Sequence, residues 1–366
     1  MHSLREAMAS VLRAPRRWSG GLRRTTQARA IQGSNSIEGY TVSAQDAMAA
    51  VEDEAPLTAD QLTWAEILGY RRVLTYVMQV AVEDDFVVDM QTLRSMHFML
   101  LEHDLAKGPG QYRRGDVFVR DDAREKTVYE GPDSTRVPAL MAVLVESLAA
   151  GRGADPMVRA AMAHLNLVMI HPFRDGNGRM ARALQTLVLA QDHVVEPTFS
   201  SIEEWLGRNT EDYYRVLAAT GRGSWQPQND AHLWLKFNLR AHHMQAQTLQ
   251  RRFADAELMW NHLDDLVARR SLPDRVADPL FDALLGSRVT RPTYRKRHDL
   301  EERTATRDLV RLVKEGLLEP VGQTRGRYYV AAGPLVDIRE QIKSARSPLE
   351  DPYPGLMDEI RRSYAP

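Results

Sequence analysis

A chain of 366 residues is too long for a single ordinary core and divides, at about 150 residues per domain, into two or three. Hydrophobic residues at 43% and charged residues at 27% exclude a disordered chain, and the absence of cysteine excludes disulfides, thiolate nucleophiles and thiolate-held zinc. Lys and Arg total 48 against 49 Asp and Glu, a net of −1 that excludes a uniformly basic coat but not a basic module among acidic ones.

In chain order, residues 1–30 are the first departure from neutrality. Arg5, Arg13, Arg16, Arg17, Arg23, Arg24 and Arg29 stand there against Glu6 alone. The segment lacks the apolar stretch of a secretory signal. It reads as a mobile or partner-binding basic arm, with an Arg-rich transit peptide as the alternative. Apolar residues at three- and four-residue spacing then predict helices over 61–82, 89–105, 137–151, 156–170, 179–191 and 231–268, so the class is mainly α. Alternation is found mainly at 116–129, where Val117-Phe118-Val119 and Thr127-Val128-Tyr129 flank a polar stretch. Bounded by Gly115 and by Gly131-Pro132, that segment predicts a small β-hairpin. Pro273 and its neighbours mark a domain boundary near 270. Beyond Ala345, Pro348, Pro352, Pro354 and Pro366 predict a loosely ordered tail. No apolar run approaches the roughly 20 residues that span a bilayer, so a cytoplasmic protein without a membrane partner is expected.

The segment His171-Pro172-Phe173-Arg174-Asp175-Gly176-Asn177-Gly178-Arg179-Met180-Ala181-Arg182 interrupts two apolar helices. Pro172 disfavours helix at His171, so the imidazole falls where the first helix ends. Gly176 and Gly178 permit a tight loop with uncovered N–H groups, and such a loop feeding a helix N-terminus is an anion site. Arg179 and Arg182 lie three apart and aim back at the same anion. One imidazole, one carboxylate, an amide nest and two guanidiniums are the parts that phosphoryl-type transfer requires. Eight fixed residue types in twelve positions argue against an incidental turn.

Here the sequence resembles the Fic family, whose signature His-x-Phe-x-(Asp/Glu)-Gly-Asn-Gly-Arg-x-x-Arg is matched from His171 through Arg182. The resemblance implies a helical bundle with a β-hairpin flap and an activity that moves AMP from ATP to a Ser, Thr or Tyr hydroxyl of a protein. It makes His171 the general base and Asp175 the residue that holds Mg²⁺. Gly176, Asn177 and Gly178 would cradle the α-phosphate, while Arg179 and Arg182 would neutralise the outer phosphates. Relatives with related loops transfer phosphate or phosphocholine instead; the intact Gly-Asn-Gly-Arg argues for AMP. Thr127, Val128 and Tyr129 correspond to the flap where it borders the nucleotide. Arg208-Asn209 with Tyr213-Tyr214 resembles the segment packing on adenine and ribose, although one tyrosine of that pair is equally well core. Gly221 falls where some relatives carry a polar residue facing the base.

Upstream, Ser34-Asn35-Ser36-Ile37-Glu38-Gly39 resembles the family's inhibitory pattern (Ser/Thr)-x-x-x-Glu-(Gly/Asn). Ser34 and Glu38 share a helix face. The resemblance implies that Glu38 pairs with Arg182 and takes the place of the γ-phosphate. From Ser287 to Val330, nine Arg and two Lys face six acids in a segment that resembles a winged helix-turn-helix. Arg303, Arg307 and Arg311 form its basic stripe, and Arg325 and Arg327 its wing. Duplex DNA and a protein partner fit that module equally. The expected organisation is an N-terminal region over 1–90 with an inhibitory helix around 30–40, a catalytic domain over 91–269, a winged helix over 270–335 and a tail over 336–366. The expected function is an autoinhibited protein adenylyltransferase capable of modifying itself, with a homodimer compatible. The alternative is a DNA-binding regulator that uses the same bundle to sense nucleotide.

Overall fold

The computed structural model describes residues 2–12, 15–121, 126–150, 153–193, 195–323 and 326–363. Its arginine-rich start is not a mobile arm but two packed helices, α1 (His2–Leu12) and α2 (Ser19–Ile37). The charges find acids far along the chain. Arg5 lies 2.6 Å from Asp192, Arg23 2.7 Å from Glu196, Arg24 2.9 Å from both Glu52 and Asp282, and Arg29 3.1 Å from Glu204. Met8, Trp18 and Leu22 are buried beneath them. Arg13 lies outside the described residues.

Short acceptor side chains open the helices that follow. Ser43 accepts from Asp46 N–H ahead of α3 (Ala44–Val51), Asp60 from Thr63 N–H ahead of α4 (Gln61–Val80), and Asp89 from Thr92 N–H ahead of α5 (Met90–Leu101). An antiparallel hairpin comes next, β1 (Phe118–Asp121) and β2 (Lys126–Glu130), with Val119 opposite Tyr129 and Arg120 opposite Thr127. Then come α6 (Val137–Ala150), α7 (Pro156–Ile170, capped by Asp155) and α8 (Asn177–Ala190). Tyr70, Met96, Leu100, Met141, Leu167, Phe173, Met180 and Leu184 interlock as the core of this bundle.

Two short helices, α9 (Glu203–Arg208) and α10 (Thr210–Gly221), lead to the long α11 (His232–Arg269). α2 and α9 meet backbone to backbone: a Cβ on Gly33 would stand 2.3 Å from the Glu203 carbonyl oxygen, and one on Gly207 2.8 Å from the Gly33 Cα. Only glycine permits that approach. The first half of α11 packs Trp234 and Phe237 against Trp205 and Tyr213. Its second half places Phe253, Met259, Trp260 and Leu263 in another core, shared with α1 and with residues beyond 270.

That C-terminal part consists of α12 (Ala277–Leu284), α13 (Arg291–Arg297), α14 (Glu302–Lys314) and the hairpin β3 (Leu318–Val321) with β4 (Tyr328–Ala331). Val289 bridges to Tyr329, so a third extended segment lies beside the hairpin. Arg325 lies outside the described residues. After α15 (Pro334–Ser344) the expected loose tail is replaced by α16 (Leu356–Ser363). Leu356 and Ile360, four apart, bury one helix face in the cluster that holds Tyr213 and Trp234. Arg240 grips Asp351 at 2.9 and 2.8 Å, fixing the prolines between the two helices. Among the described residues no helix is long and apolar enough to cross a membrane.

Candidate active site

The segment from His171 to Arg182 occupies the junction of α7 and α8. His171 closes α7 in the left-handed region (φ 50, ψ 58), which turns the chain away before Pro172. Arg113, which the sequence reading did not single out, clamps this turn. Its Nε donates to the His171 carbonyl at 2.8 Å, its Nη1 to Gly115 at 2.7 Å and its Nη2 to the Pro132 carbonyl. One guanidinium thus ties the catalytic turn to both ends of the flap hairpin. The half-buried imidazole places Nδ1 3.2 Å from the Val168 carbonyl, an acceptor, so Nδ1 carries the proton and Nε2 the free lone pair. Burial holds the His171 pKa below its ordinary value.

The loop behind it is braced from within. The Asn177 side chain accepts from Phe173 N–H and donates to the Phe173 carbonyl, both at 2.9 Å, so it is spent on closing the loop. Phe173 stacks on His97 with ring centroids 3.7 Å apart. Because Gly110 N–H donates to His97 Nδ1, the ring's Nε2–H donates to the Asp175 carbonyl at 3.0 Å. Burial keeps His97 neutral, its pKa pushed down to about 4. Gly176 precedes α8 with φ 78, and a Cβ there would stand 2.9 Å from Leu100. The first-turn N–H groups of α8 have no acceptor within their helix and face the loop mouth.

Around the motif arginines lies a charge network invisible in the motif itself. Glu66 on α4 is fully buried and binds Arg179 through Oε2. Its Oε1 accepts from Lys107 at 2.9 Å and from the Tyr40 hydroxyl at 2.8 Å. Lys107 also lies 2.8 Å from Asp175 Oδ2. Burial alone would raise the Glu66 pKa; Arg179 and Lys107 outweigh it and hold the carboxyl down to about 2. Glu66→Gln should therefore remove the nearest carboxylate from buried Arg179 and lower stability by about 3–5 kcal/mol at neutral pH, read from urea melts. The folded-state pKa is depressed, so this contribution is complete above the ordinary value of 4.5 and is lost as pH falls toward about 2. A wild-type protein no more acid-sensitive than the glutamine variant over that window would refute the assignment.

Ser34 and Glu38 both contact Arg182. Arg182, nearly fully buried, donates from Nε to Ser34 Oγ at 2.9 Å and from Nη2 to the Ser34 carbonyl at 3.0 Å and to Glu38 Oε1 at 2.6 Å. Burial would weaken the Arg182 guanidinium as a base, but Glu38 overrides that and raises its pKa. Arg182 Nη1 and Arg179 Nε are buried donors without a partner among the described residues. A Cβ on Gly178 would stand 2.5 Å from Glu38 Oε1, so the carboxylate lies directly over the glycine loop.

The flap and tyrosines divide. Tyr129 is buried, its hydroxyl donating to the Met169 carbonyl at 2.6 Å, while Val128 is half-buried and Thr127 exposed. Tyr213 is core and not brought to the site: it is 1% exposed, and its hydroxyl meets His164 Nε2 at 2.9 Å. Tyr214 is the partner that reaches the surface, its hydroxyl on the Ile37 carbonyl at 2.9 Å, next to Glu38 in the chain. Gly221 is packed against Met169 and Tyr129. Arg208 turns to Glu204 and Asn209 to the Trp205 carbonyl.

Residues 87–189 match the model of the Fic/DOC family; this stretch contains the loop, His97, Lys107 and Arg113, but not Glu66, Ser34 or Glu38. Over this stretch the chain is similar to proteins of the Fic family. It is 26% identical over 203 residues to a protein named protein adenylyltransferase Fic from Nematostella vectensis, covering 53% of this chain and 43% of that one. A Culex quinquefasciatus protein of the same name is 29% identical over 196 residues, covering 50% and 36%. The chain therefore spans less than half the length of these curated relatives. Among solved structures, a Fic family protein from Desulfovibrio desulfuricans G20 aligns over 85% of this chain and 88% of its own, with a TM-score of 0.53 and 25% identity. Fic-1 from C. elegans shares the fold at 22% identity and a TM-score of 0.53 over 70% of each chain.

Proposed function

We propose that this chain transfers AMP from ATP to a hydroxyl side chain of a protein, itself included, and that Glu38 restrains the reaction. The observation that carries this reading is the Glu38 carboxylate seated over Gly178 and bound to Arg182, an anion held where a helix N-terminus and a guanidinium converge. His171, with Nε2 as its free base, takes the proton from the attacking hydroxyl. The oxygen attacks the α-phosphorus in line and pyrophosphate leaves. Backbone N–H groups at Asn177 and Gly178 receive the charge that develops there, and Arg179 and Arg182 offset that of the leaving group. The names of the curated relatives support AMP as the group transferred.

Asp175 suits one divalent cation. Its carboxyl is about a third exposed and is held below its ordinary pKa because Lys107 and Arg179 outweigh burial. With Lys107 released from Oδ2, a single carboxylate together with phosphate oxygens and waters is a common setting for Mg²⁺. Mg²⁺, when bound, supplies positive charge to the phosphates. Transfer from ATP labelled at the α-phosphorus to protein tests the reading. Label arriving from the γ-phosphorus alone would overturn it in favour of phosphate transfer.

Several arginines of the C-terminal part are committed within the chain. Arg275 pairs with Asp308, Arg288 with Glu54, and Arg297 with Asp282 and Glu52, while Arg311 donates to the carbonyls of Arg270 and Ser271. Arg303 and Arg307 remain exposed on α14. Arg288 and Arg297 reach Glu54 and Glu52 outside residues 270–335, which supports a docking role, while exposed Arg303, Arg307, Arg311 and Arg327 keep the DNA-binding regulator as the alternative.

A further inference from the structure

On the far face of α2 from Arg182 lies a cavity of about 330 Å³, and we propose that it binds a small sugar phosphate. Its wall includes Arg29 and Gln32 of α2, Gln45 of α3, Glu204 and Arg208 of α9, and Gly286 in the turn after α12. The volume is at the lower end of the range for small-molecule sites.

Charge is the first argument. Three guanidiniums converge on Glu204: Arg29 at 3.1 Å, Arg208 at 2.6 Å, and Arg252 at 2.6 and 2.7 Å on its two oxygens. One carboxylate balances one of them, so two positive charges are left over. Burial, and then the neighbouring Arg252, push the Arg29 pKa below its ordinary value in spite of Glu204. A phosphomonoester carries roughly −1.5 to −2 at neutral pH, which matches that excess. Arg29 and Arg208 each commit one hydrogen bond among the described residues, and a guanidinium has several more N–H groups to offer.

The second argument is an orphan acceptor. Gln45 donates from Nε2 to the Gly286 carbonyl at 3.0 Å, but its Oε1 is buried without a partner while its side chain lines the cavity. A buried carbonyl oxygen left unpaired is costly, and a turn of the side chain toward the cavity would let a ligand hydroxyl satisfy it. An anion at the arginines and a hydroxyl at Gln45 together describe a phosphorylated polyol. The site shares α2 with the nucleotide pocket but none of the motif side chains, so it stands or falls independently of AMP transfer.

Calorimetric titration of the full chain with ribose 5-phosphate, inorganic phosphate and ribose tests this. Ribose 5-phosphate should bind saturably with one site per chain, phosphate more weakly, and ribose not at all. Arg208→Gln, at a largely exposed side chain, should weaken ribose 5-phosphate binding by at least about tenfold, and Gln45→Ala by several-fold, each with an unchanged melting temperature in the absence of ligand. No saturable binding by the wild type up to about 10 mM, or equal binding by wild type and both variants, would overturn the proposal.

Discussion

Replacing Glu38 with glycine is expected to raise transfer of label from ATP to protein by about ten- to a hundredfold, the worth of a charge-assisted hydrogen bond of roughly 1.5–3 kcal/mol. The carboxylate now holds Arg182 Nη2 at 2.6 Å and overlies Gly178, so a phosphate cannot take both places until it leaves. Glycine fits the backbone there, since Glu38 lies beyond the last turn of α2 with φ −82 and ψ 7. The same change should lower stability without nucleotide by about 1–3 kcal/mol, because Arg182 stays buried with Ser34 as its remaining anchor. That is less than the roughly 3–5 kcal/mol for a fully buried pair, as the Glu38 side chain is 21% exposed. ATP should restore the lost stability in the variant more than it stabilises wild type. Initial rates and thermal melts with and without ATP read both effects. Equal rates in variant and wild type would show that Glu38 is not a brake.

His171→Ala is expected to reduce transfer by about 10²–10⁴, the usual contribution of a general base. Measured on the Glu38→Gly background, the loss is separated from inhibition. Nδ1 is fixed as donor to Val168, so the proton must be accepted at Nε2. Because burial lowers the His171 pKa, the base stays neutral below the usual histidine range of about 6.5. Activity should therefore hold level through neutral pH and fall only further into acid, as the imidazole becomes protonated. A rate that falls as pH drops from 8 through about 7 would place a different group at this step.

Much of the site was legible because it is contiguous. His171 to Arg182 spans one turn and the start of one helix, where spacing alone fixes which groups meet. The long helices were legible for a related reason: α4, α7 and α11 keep apolar residues at helical intervals that bury one face. Glu66 was not. It sits on α4 as a single acid among apolar residues, and only the fold brings Arg179 and Lys107 to it. The basic start misled for the same physical reason. Local charge excess suggested solvent, whereas Arg5 meets Asp192 and Arg23 meets Glu196 across much of the chain. Proline frequency likewise suggested a loose tail, but Leu356 and Ile360 have an apolar cluster to enter. Tyr213 and Tyr214 could not be ranked from sequence, because adjacent helical residues point about 100° apart and either could have faced inward.

The close seam between Gly33 and Gly207 bears on timing. Pulling α2 away would open a backbone contact too tight for any Cβ, whereas Glu38 lies just past the helix on a flexible, partly exposed stem. Letting go of Arg182 then asks for a side-chain flip and the loss of one ion pair, with no movement of the helix. On the proposed reading the carboxylate is a tethered ligand, present at a fixed effective concentration against which free ATP would compete. The proposed enzyme would then leak steadily rather than in bursts, with an idle rate that follows the nucleotide supply of its surroundings.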